Sequence, residues 1–534
     1  MRWAGAGMPG RWWKGAGASV RAASCAAALL VAGLPGPAAA DQRTGETAVP
    51  DRPVVRTAAG PVAGYLDAER TLRMFRAIPY AAPPTAARRW QPPVPHPRWS
   101  RERDATERGP ACMQNDYGWN RQELQDMSED CLTLDIATPL SAAAGAKLPV
   151  MVWIHGGSNR AGSSGDTIAG RLADQGVVLV SIQYRLGIFG FLSHRELARE
   201  QGNASGNYGL MDQIAALRWV RENIAQFGGD AGNVTLFGES AGSQDVSLLL
   251  ASPLASGLFR RAILQSGTPG FGMTARSLSD GLRLGDQLDG LLPRASRRRN
   301  LDRLRAMPAA DLLAADLKLR DPAIWNQDYL WLRTTVDGRV LPRAPAELLA
   351  AAAPRPVIIG SNRFEFGPAP GTIDVARHLQ HWFGANAEAA GKLYAAETGL
   401  ATRLGPLEAR IETDAVFRCP ANNLADLLVG RRWPVWRYEF DVGPVGPDGS
   451  EALTTHGGEI PYVLDRRPIG TGAGSFHLQD IWLGFARDGV PRTPSGAIWS
   501  RYDAGSKAFT AITRGGMVGK AGLRAEICAL TDRI

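Results

Sequence analysis

The pattern with the most chemical content is a serine flanked by glycines, between an apolar stretch and a run of small residues. It is Gly238-Glu239-Ser240-Ala241-Gly242, preceded by Val-Thr-Leu-Phe. A serine hydroxyl is a poor nucleophile, but a tight turn from a strand into a helix exposes its oxygen near the positive end of that helix. Because small neighbours allow such a turn, the sequence predicts that Ser240 is a catalytic nucleophile.

A pair of glycines ends an earlier apolar stretch, in His155-Gly156-Gly157-Ser158. When a serine attacks a carbonyl, an oxyanion forms, and each backbone N–H group aimed at that charge lowers the barrier by about 3 kcal/mol. Glycine lets the backbone approach closely. We therefore predict an oxyanion hole made by the amides of Gly157, Ser158 and Ala241, with Gly156 supporting it. The serine at 158 keeps its N–H, and its Cβ narrows the space beside the hole.

Strands and helices must bring these two segments together, and their alternation predicts an α/β fold with a mostly parallel sheet. Apolar residues at intervals of three and four from Leu210 to Ile224 predict a helix packed on that sheet. Glycines and prolines before residue 148 indicate an antiparallel edge. Near-continuous apolar runs predict strands buried on both faces at Leu148–His155, Val177–Tyr184, Asn233–Gly238, Arg261–Ser266, Pro356–Gly360 and Pro434–Phe440.

Two insertions interrupt the alternation, at about residues 270–355 and 372–428. We expect both to be helical caps over the carboxyl edge of the sheet, where ligands bind in open α/β folds. Trp325 and Trp331 in the first insertion indicate an aromatic wall, with core packing as the alternative. No low-complexity linker divides the chain, so we predict one domain over residues 41–534.

Composition excludes several classes of protein. The chain has 534 residues, 45% hydrophobic and 21% charged, so it is neither disordered, collagenous nor a coiled coil. Half of its net charge of +8 comes from Arg2, Arg11, Lys14 and Arg21, in a segment of 40 residues that contains no acid. The remaining charge is weak for so long a chain, and we expect no nucleic-acid partner.

The first 40 residues have the pattern of a secretory signal: a basic start, the apolar run Ala22–Leu34, and Ala38-Ala39-Ala40 before Asp41. The alternative is a membrane anchor, but the run is shorter than the roughly 20 apolar residues needed to cross the hydrocarbon. We predict cleavage after Ala40, no stable membrane anchor, and a secreted or periplasmic protein.

Four cysteines remain after the signal, an even number in a chain bound for an oxidising compartment. They allow three pairings, and local closure favours Cys112 with Cys131 and therefore Cys419 with Cys528. Metal ligation is the rival interpretation. No Cys-x-x-Cys or His-Glu-x-x-His spacing occurs, and His378 and His381 are expected on a solvated helix face, so we predict no metal site.

A set of motifs in order along most of the mature chain resembles the type-B carboxylesterases, the α/β-hydrolase family of cholinesterases and bacterial nitrobenzyl esterases. The resemblance implies an α/β-hydrolase fold with a large central sheet flanked by helices. The matching segments are Ile78–Ala81, Ser128–Asp135, Tyr184–Gly187, Asn207–Gln213, Phe227–Asp230, Leu264–Gly267 and Val336–Gly338.

The same resemblance implies the partners of the serine. In the family the acid lies five residues after a glycine that ends a strand, which matches Glu365 after Gly360. The neighbours differ from the family pattern, because Phe364 and Phe366 replace a common Asp and a common Gly. The base lies in a His-Gly-x-Glu-Ile segment, which matches His456. The chain order of serine, acid and base is the order that the fold requires.

Three further residues are candidates for roles at or near the triad. The resemblance implies that Ser266 hydrogen-bonds behind the triad, and the alternative is an ordinary serine at a strand end. Glu459 and Asp337 are rival acids, for which structural roles are expected.

The resemblance implies a serine esterase that hydrolyses small-molecule carboxylic esters through an acyl-enzyme, without a metal or an organic cofactor. Activity should fall as the pH drops through the imidazole pKa, about 6 to 7, because a protonated base cannot accept the serine proton. The alternatives are a non-catalytic binding or adhesion module, a hydrolase of amides or carbamates, and a lipase. The sequence leaves the oligomeric state open.

Overall fold

A mixed sheet of 11 strands runs through the computed structural model, which describes residues 52–291, 300–397 and 403–531. The predicted signal, residues 1–40, lies outside the described residues. The strands of the sheet are β1 (Tyr65–Leu66), β2 (Leu72–Pro79), β3 (Thr133–Pro139), β4 (Leu148–Ile154), β5 (Val178–Ile182), β6 (Gly229–Glu239), β7 (Arg261–Gln265), β8 (Val357–Asn362), β9 (Val435–Asp441), β10 (Phe509–Thr513) and β11 (Gly516–Lys520).

The order of strands across the sheet is β11-β10-β9-β8-β7-β6-β4-β5-β3-β2-β1. Neighbours from β10 to β5 pair in parallel, and β1 to β3 form the antiparallel edge that the sequence predicts. All six predicted strands are present, with ends shifted by a few residues. The hairpin of β10 and β11 is an addition that no sequence signal predicted.

Helices cover both faces of this sheet, and the predicted helix over 210–224 is found as α3 (Tyr208–Asn223). The insertion over 372–428 is largely helical, and the described residues of the one over 270–355 combine four α-helices with loops and short strands. Within the described residues, no helix is both long and apolar enough to cross a bilayer. The helices are α1 (Gly187–Phe191), α2 (Arg195–Glu200), α3 (Tyr208–Asn223), α4 (Ala241–Ala251), α5 (Leu278–Leu291), α6 (Asn300–Ala306), α7 (Ala309–Asp316), α8 (Pro345–Ala351), α9 (Val375–Phe383), α10 (Ala387–Ala396), α11 (Leu407–Glu412), α12 (Cys419–Gly430), α13 (Ile460–Leu464), α14 (Leu478–Asp488) and α15 (Ala525–Cys528).

Short strands lie outside the main sheet. They are Val54–Arg56, Pro61–Ala63 and Arg103–Asp104 in one small sheet, and the pairs Ala111–Cys112 with Met127–Ser128, Arg276–Ser277 with Thr335–Val336, and Pro468–Ile469 with Phe476–His477.

The core has two layers because successive side chains of a strand point to opposite faces of the sheet. In β4, Val150 and Val152 join the layer that contains α3 and α4. Met151 and Trp153 join the opposite layer, which contains α14. This central strand is therefore apolar at every position, as expected for a parallel sheet covered on both sides.

The cysteines pair locally, Cys112 with Cys131 and Cys419 with Cys528, at Cα–Cα separations of 5.1 and 4.9 Å. The second disulfide joins the start of α12 to α15. The prediction for His378 was wrong. This histidine is buried on α9 beside the carboxylate of Glu412, and only His381 is on the exposed side of the helix.

Removing the second disulfide should cost more stability than removing the first. The Cys419–Cys528 bridge closes a loop of 109 residues and the Cys112–Cys131 bridge one of 19, and a longer loop gives up more chain entropy when it is closed. We expect Cys419→Ala/Cys528→Ala to lower the free energy of unfolding by about 4 kcal/mol. Urea denaturation followed by fluorescence measures it, with Cys112→Ala/Cys131→Ala as the matched control. A larger loss in the control would contradict the loop-entropy account.

Candidate active site

Ser240 lies on the turn between β6 and α4, with φ 54° and ψ −125°. Residues with side chains rarely adopt a positive φ, so neighbouring contacts must hold the turn. The Ser240 N–H donates to the Gln265 carbonyl of β7, and the Ser240 carbonyl accepts from the Gln244 N–H, both at 2.9 Å. A Cβ on Gly242 would lie 2.0 Å from the carbonyl oxygen of Ile154, so only glycine lets the turn pass β4. This is the strand–turn–helix context of a nucleophile.

The glycine segment after β4 lies against this turn. A Cβ on Gly156 would be 3.1 Å from the Cβ of Ser240. Gly157 has φ 102°, and a Cβ there would lie 2.1 Å from the carbonyl oxygen of Ala161. Ser158 follows with φ 59°. Among the described residues, the amides of Gly157 and Ser158 donate to no other main-chain group, so both can serve an oxyanion.

Glu365 and His456 come together although 91 positions separate them. Glu365 Oε2 is 2.7 Å from His456 Nδ1, and the His456 N–H donates to the Glu365 carbonyl at 3.1 Å. The other carboxylate oxygen, Oε1, accepts from the backbone N–H of Asn362 at 2.7 Å. This buried carboxylate is therefore held from two sides, and it can orient the imidazole ring.

A second carboxylate, Glu239, faces the opposite nitrogen of the same ring. Glu239 Oε1 lies 3.2 Å from His456 Nε2. Sequence reasoning missed this residue because it occupies the variable position of the serine motif. Its only signal is that it ends β6, immediately before the proposed nucleophile.

The structure brings Ser240, Glu239 and His456 into one place, but it does not join all of them by hydrogen bonds. In the described part of the chain, His456 Nε2 has no hydrogen-bond partner and Ser240 Oγ makes no bond to it. Catalytic hydrogen bonds often tighten only when substrate binds. The hydrogen bond between Ser240 Oγ and His456 Nε2 is therefore not formed in this structure.

The carboxylates change the proton affinity of the site. Burial by itself lowers the pKa of His456, but the negative charges of Glu239 and Glu365 outweigh burial and raise it to about 9. Burial raises the pKa of Glu239 to about 8, because the charged form loses its water and two other carboxylates lie close by. The imidazole and Glu239 therefore compete for a proton on the alkaline side of neutral pH.

Glu459, the rival acid, makes its hydrogen bonds to side-chain amides and not to the ring. Its Oε2 accepts from Asn362 Nδ2 at 2.8 Å and its Oε1 from Gln265 Nε2 at 3.3 Å. The same Asn362 amide donates to the Thr455 carbonyl, one residue before His456. Asn362 and Gln265 are thus supporting residues that the sequence did not indicate.

Ser266 lacks the role that the resemblance implies, whereas Asp337 has the structural role expected of it. Ser266 Oγ is buried without a hydrogen-bond partner among the described residues, so the bond implied behind the triad is not present. Asp337 accepts from the N–H groups of Arg339 and Leu341 and therefore holds a turn. His155 stacks on Tyr184 at 4.4 Å, and burial lowers its pKa to about 4, so it stays neutral.

Two phenylalanines lie beside the base, whereas Trp331 belongs to the core and Trp325 lines a cavity. Phe366 and Phe417 lie 4.8 and 5.0 Å from the His456 ring. Trp331 is fully buried and donates to Asp316, so the core-packing alternative holds for it. Trp325 is 41% exposed beneath the guanidinium of Arg377. The apolar rings beside His456 shield its ion pairs from water.

Over the described ranges, no group of three or more histidine, cysteine or acidic side chains has a geometry that could hold a metal ion.

Comparison with known proteins places the chain among esterases. The model of the Carboxylesterase family matches residues 51–531. Fumonisin B1 esterase from Sphingopyxis macrogoltabida is 34% identical over 503 residues, which cover 87% of this chain and 89% of that protein. Para-nitrobenzyl esterase from Bacillus subtilis is 35% identical over 474 residues, 84% of this chain and 92% of that one. A solved structure of PNB esterase superposes with a TM-score of 0.75 at 32% identity, over 90% of this chain and 99% of that chain.

Replacing Glu239 should lower the pKa of His456. Glu239→Gln removes the negative charge nearest to Nε2 and keeps the size of the side chain, so the imidazolium loses stabilisation. We expect the pKa of His456 to fall by about 1 unit or more in an NMR titration of labelled histidine. Glu388→Gln, at an exposed position of α10, is the control and should leave it unchanged. An unchanged pKa in Glu239→Gln would show that this carboxylate does not act on the ring.

Proposed function

Because the chain belongs to the carboxylesterase family, we propose that it is a serine esterase that hydrolyses small-molecule carboxylic esters through an acyl-enzyme. The observation that carries the proposal is the 2.7 Å contact of Glu365 with His456, beside the strained turn at Ser240. The relatives named as esterases support the reaction class. Ester hydrolysis needs no cofactor in this scheme, since the nucleophile, base and oxyanion donors all belong to the chain.

In the first half of the reaction, Ser240 Oγ attacks the ester carbonyl while His456 Nε2 takes its proton. Glu365 holds the ring through Nδ1 and stabilises the imidazolium that forms. The amides of Gly157, Ser158 and Ala241 donate to the oxyanion of the tetrahedral intermediate. The intermediate collapses, His456 gives its proton to the leaving alkoxide, and an acyl-enzyme and an alcohol result.

In the second half, water takes the place of the alcohol. His456 removes a proton from the water as it attacks the acyl carbonyl, and the same three amides hold the second oxyanion. When this intermediate collapses, the proton returns to Ser240 Oγ and the carboxylic acid leaves. The two halves use one set of residues, so a single substitution affects both.

The carboxylates around the base set the direction of the pH dependence. Activity needs a neutral His456, and its raised pKa means that the ring is already protonated at pH values where an ordinary histidine is neutral. Activity is thus lost as the pH falls through the raised pKa, above the range of about 6 to 7 expected from an unperturbed imidazole. Because Glu239 titrates together with the His456 ring, the loss of activity at low pH reports the protonation of this pair of groups and not of one residue.

We place this reaction outside the cytoplasm, in the periplasm or the medium, and assign it to one α/β-hydrolase domain over residues 41–534. The predicted signal over residues 1–40 and the two disulfides support export, because disulfides persist in oxidising compartments.

Ser240→Ala should abolish ester hydrolysis without unfolding the protein. The test is a panel of p-nitrophenyl esters from acetate to long acyl chains, run on the parent and the variant, with labelling by a fluorophosphonate probe. We expect the parent to cleave esters and to be labelled, and the variant to do neither, because the attacking oxygen is gone. Equal rates would overturn the assignment of Ser240. A parent that binds esters without cleaving them would favour the binding module, and a parent that cleaves only the longest esters would favour a lipase.

Glu365→Gln should lower kcat by about 10³- to 10⁴-fold. If the amide oxygen keeps the bond from the Asn362 N–H, the NH2 group faces Nδ1 and forces the tautomer that cannot accept the serine proton. Glu459→Gln is the matched control, because that carboxylate bonds Asn362 and Gln265. Steady-state kinetics on one p-nitrophenyl ester measures kcat for both variants. A larger loss in Glu459→Gln would assign the acid to position 459.

A further inference from the structure

The proposed oxyanion hole is assembled from two separate segments. Gly157 and Ser158 lie in the segment after β4, whereas Ala241 begins α4. The three amides can act together only if these segments keep their separation to within a fraction of an ångström. A direct side-chain connection between them would therefore affect the reaction without touching the substrate.

We propose that Asn159 and Asp245 are positioning residues that hold the two segments of the oxyanion hole together. The proposal rests on the proposed function, since it concerns the same site. Asn159 directly follows Ser158, and its Nδ2 donates to Asp245 Oδ1 at 3.0 Å. Asp245 lies in α4, four residues after Ala241. The bond thus runs from the glycine segment to the helix that carries the third amide.

Asn159 is fully buried, and both polar atoms of its side chain have hydrogen-bond partners. Its Oδ1 accepts from the Tyr184 hydroxyl at 3.3 Å, and its backbone carbonyl accepts from the Gly187 N–H at 2.6 Å. The same hydroxyl lies 2.8 Å from the His155 carbonyl, so the two acceptors share its one hydrogen. One tyrosine therefore reaches both ends of the segment from His155 to Asn159, and Asp245 holds its last residue.

The backbone of this segment needs such support. Ser158 and Asn159 have φ values of 59° and 54°, two consecutive residues in the left-handed region. Asparagine enters that region at less cost than most residues, but serine does not. Strain of this kind persists only where surrounding contacts hold the backbone in place. The bond to Asp245 is one of these contacts.

Asp245 is energetically unfavourable at this position if only the stability of the fold is considered. It is fully buried, and within the described residues its carboxylate has no cationic partner, only the amides of Asn159 and Gln213, the latter at 2.5 Å. Burial raises its pKa to about 7, because these bonds replace only part of the lost hydration. Apolar side chains would fill the space at lower cost. A directed bond, unlike an apolar contact, also sets position and angle.

Exchanging the two side chains tests the bond. In Asn159→Asp two carboxylates face each other, and in Asp245→Asn the new amide cannot accept from both Asn159 and Gln213. The double variant Asn159→Asp/Asp245→Asn restores a carboxylate–amide bond and leaves acceptors for Tyr184 and Gln213, with the same side-chain sizes. Aspartate also tolerates the left-handed region. Each protein is assayed at pH 8.5 for kcat and KM on a p-nitrophenyl ester and for inhibition by an aryl trifluoromethyl ketone, whose adduct carries the oxyanion.

We expect each single variant to lose kcat by about tenfold or more with KM within about threefold, because the donors act mainly on the oxyanion. The inhibition constant of the trifluoromethyl ketone should rise in parallel with the loss of kcat/KM. The double variant should recover kcat to within about threefold of the parent. A Tyr184→Phe variant, which loses the hydroxyl bonds to the same segment, should also lose kcat and not KM.

The opposite results would overturn the proposal. A purely structural role predicts single variants with a lower melting temperature but unchanged kcat and inhibitor binding. A double variant that does not recover kcat, or does not fold, would show that the Asn159–Asp245 bond is not what matters. If the single variants do not fold, the same comparison of kcat, KM and inhibitor binding is made on the double variant and on Tyr184→Phe. Failure of the proposed function is distinct, since the parent itself would then lack hydrolysis dependent on Ser240.

Discussion

Parallel pairing of four central strands is the constraint on which the rest of the structure depends. Gly238 of β6 pairs with Ile154 of β4, Glu239 pairs with Gln265 of β7, and Gln265 pairs with Gly360 of β8. Since parallel strands share the same direction, all four reach their carboxyl ends at one edge of the sheet. The glycine segment, the serine turn and the acid loop follow β4, β6 and β8. Apolar packing on both faces sets the register, and the register sets which side chains meet.

Burial gives that edge an unusual concentration of charge. Glu239, Glu365 and Glu459 surround one imidazole, and all three carboxylates are withdrawn from water. Their surroundings differ. Glu365 accepts from the Asn362 N–H and contacts the ring, and Glu459 accepts from two side-chain amides. Glu239 lies near Nε2 of the ring. An unpaired buried carboxylate is costly, so the imidazolium is the natural partner of this group. The base and its proton affinity are therefore properties of the cluster and not of one residue.

Different interactions stabilise the two sides of the site, the base and the glycine segment. Around His456, full charges and aromatic rings set a proton equilibrium. Around the glycine segment, Asn159 and its partners set the position of a strained backbone through directed hydrogen bonds. A reaction that moves one proton and creates one oxyanion needs both, because the first requires a tuned base and the second requires donors already in place.

The sequence by itself determined the fold class, the six central strands and the helix before the serine turn, because apolar periodicity and glycine-bounded turns are local signals. Its ordered motifs indicated the family by resemblance. It also indicated Ser240 and the glycine segment by type, and Glu365 and His456 by resemblance. Only the tertiary structure decided that Glu239 faces the base, that Trp331 belongs to the core, that His378 is buried, and that a final hairpin extends the sheet. These features arise from contacts between residues far apart in the chain, and no local pattern records such distances.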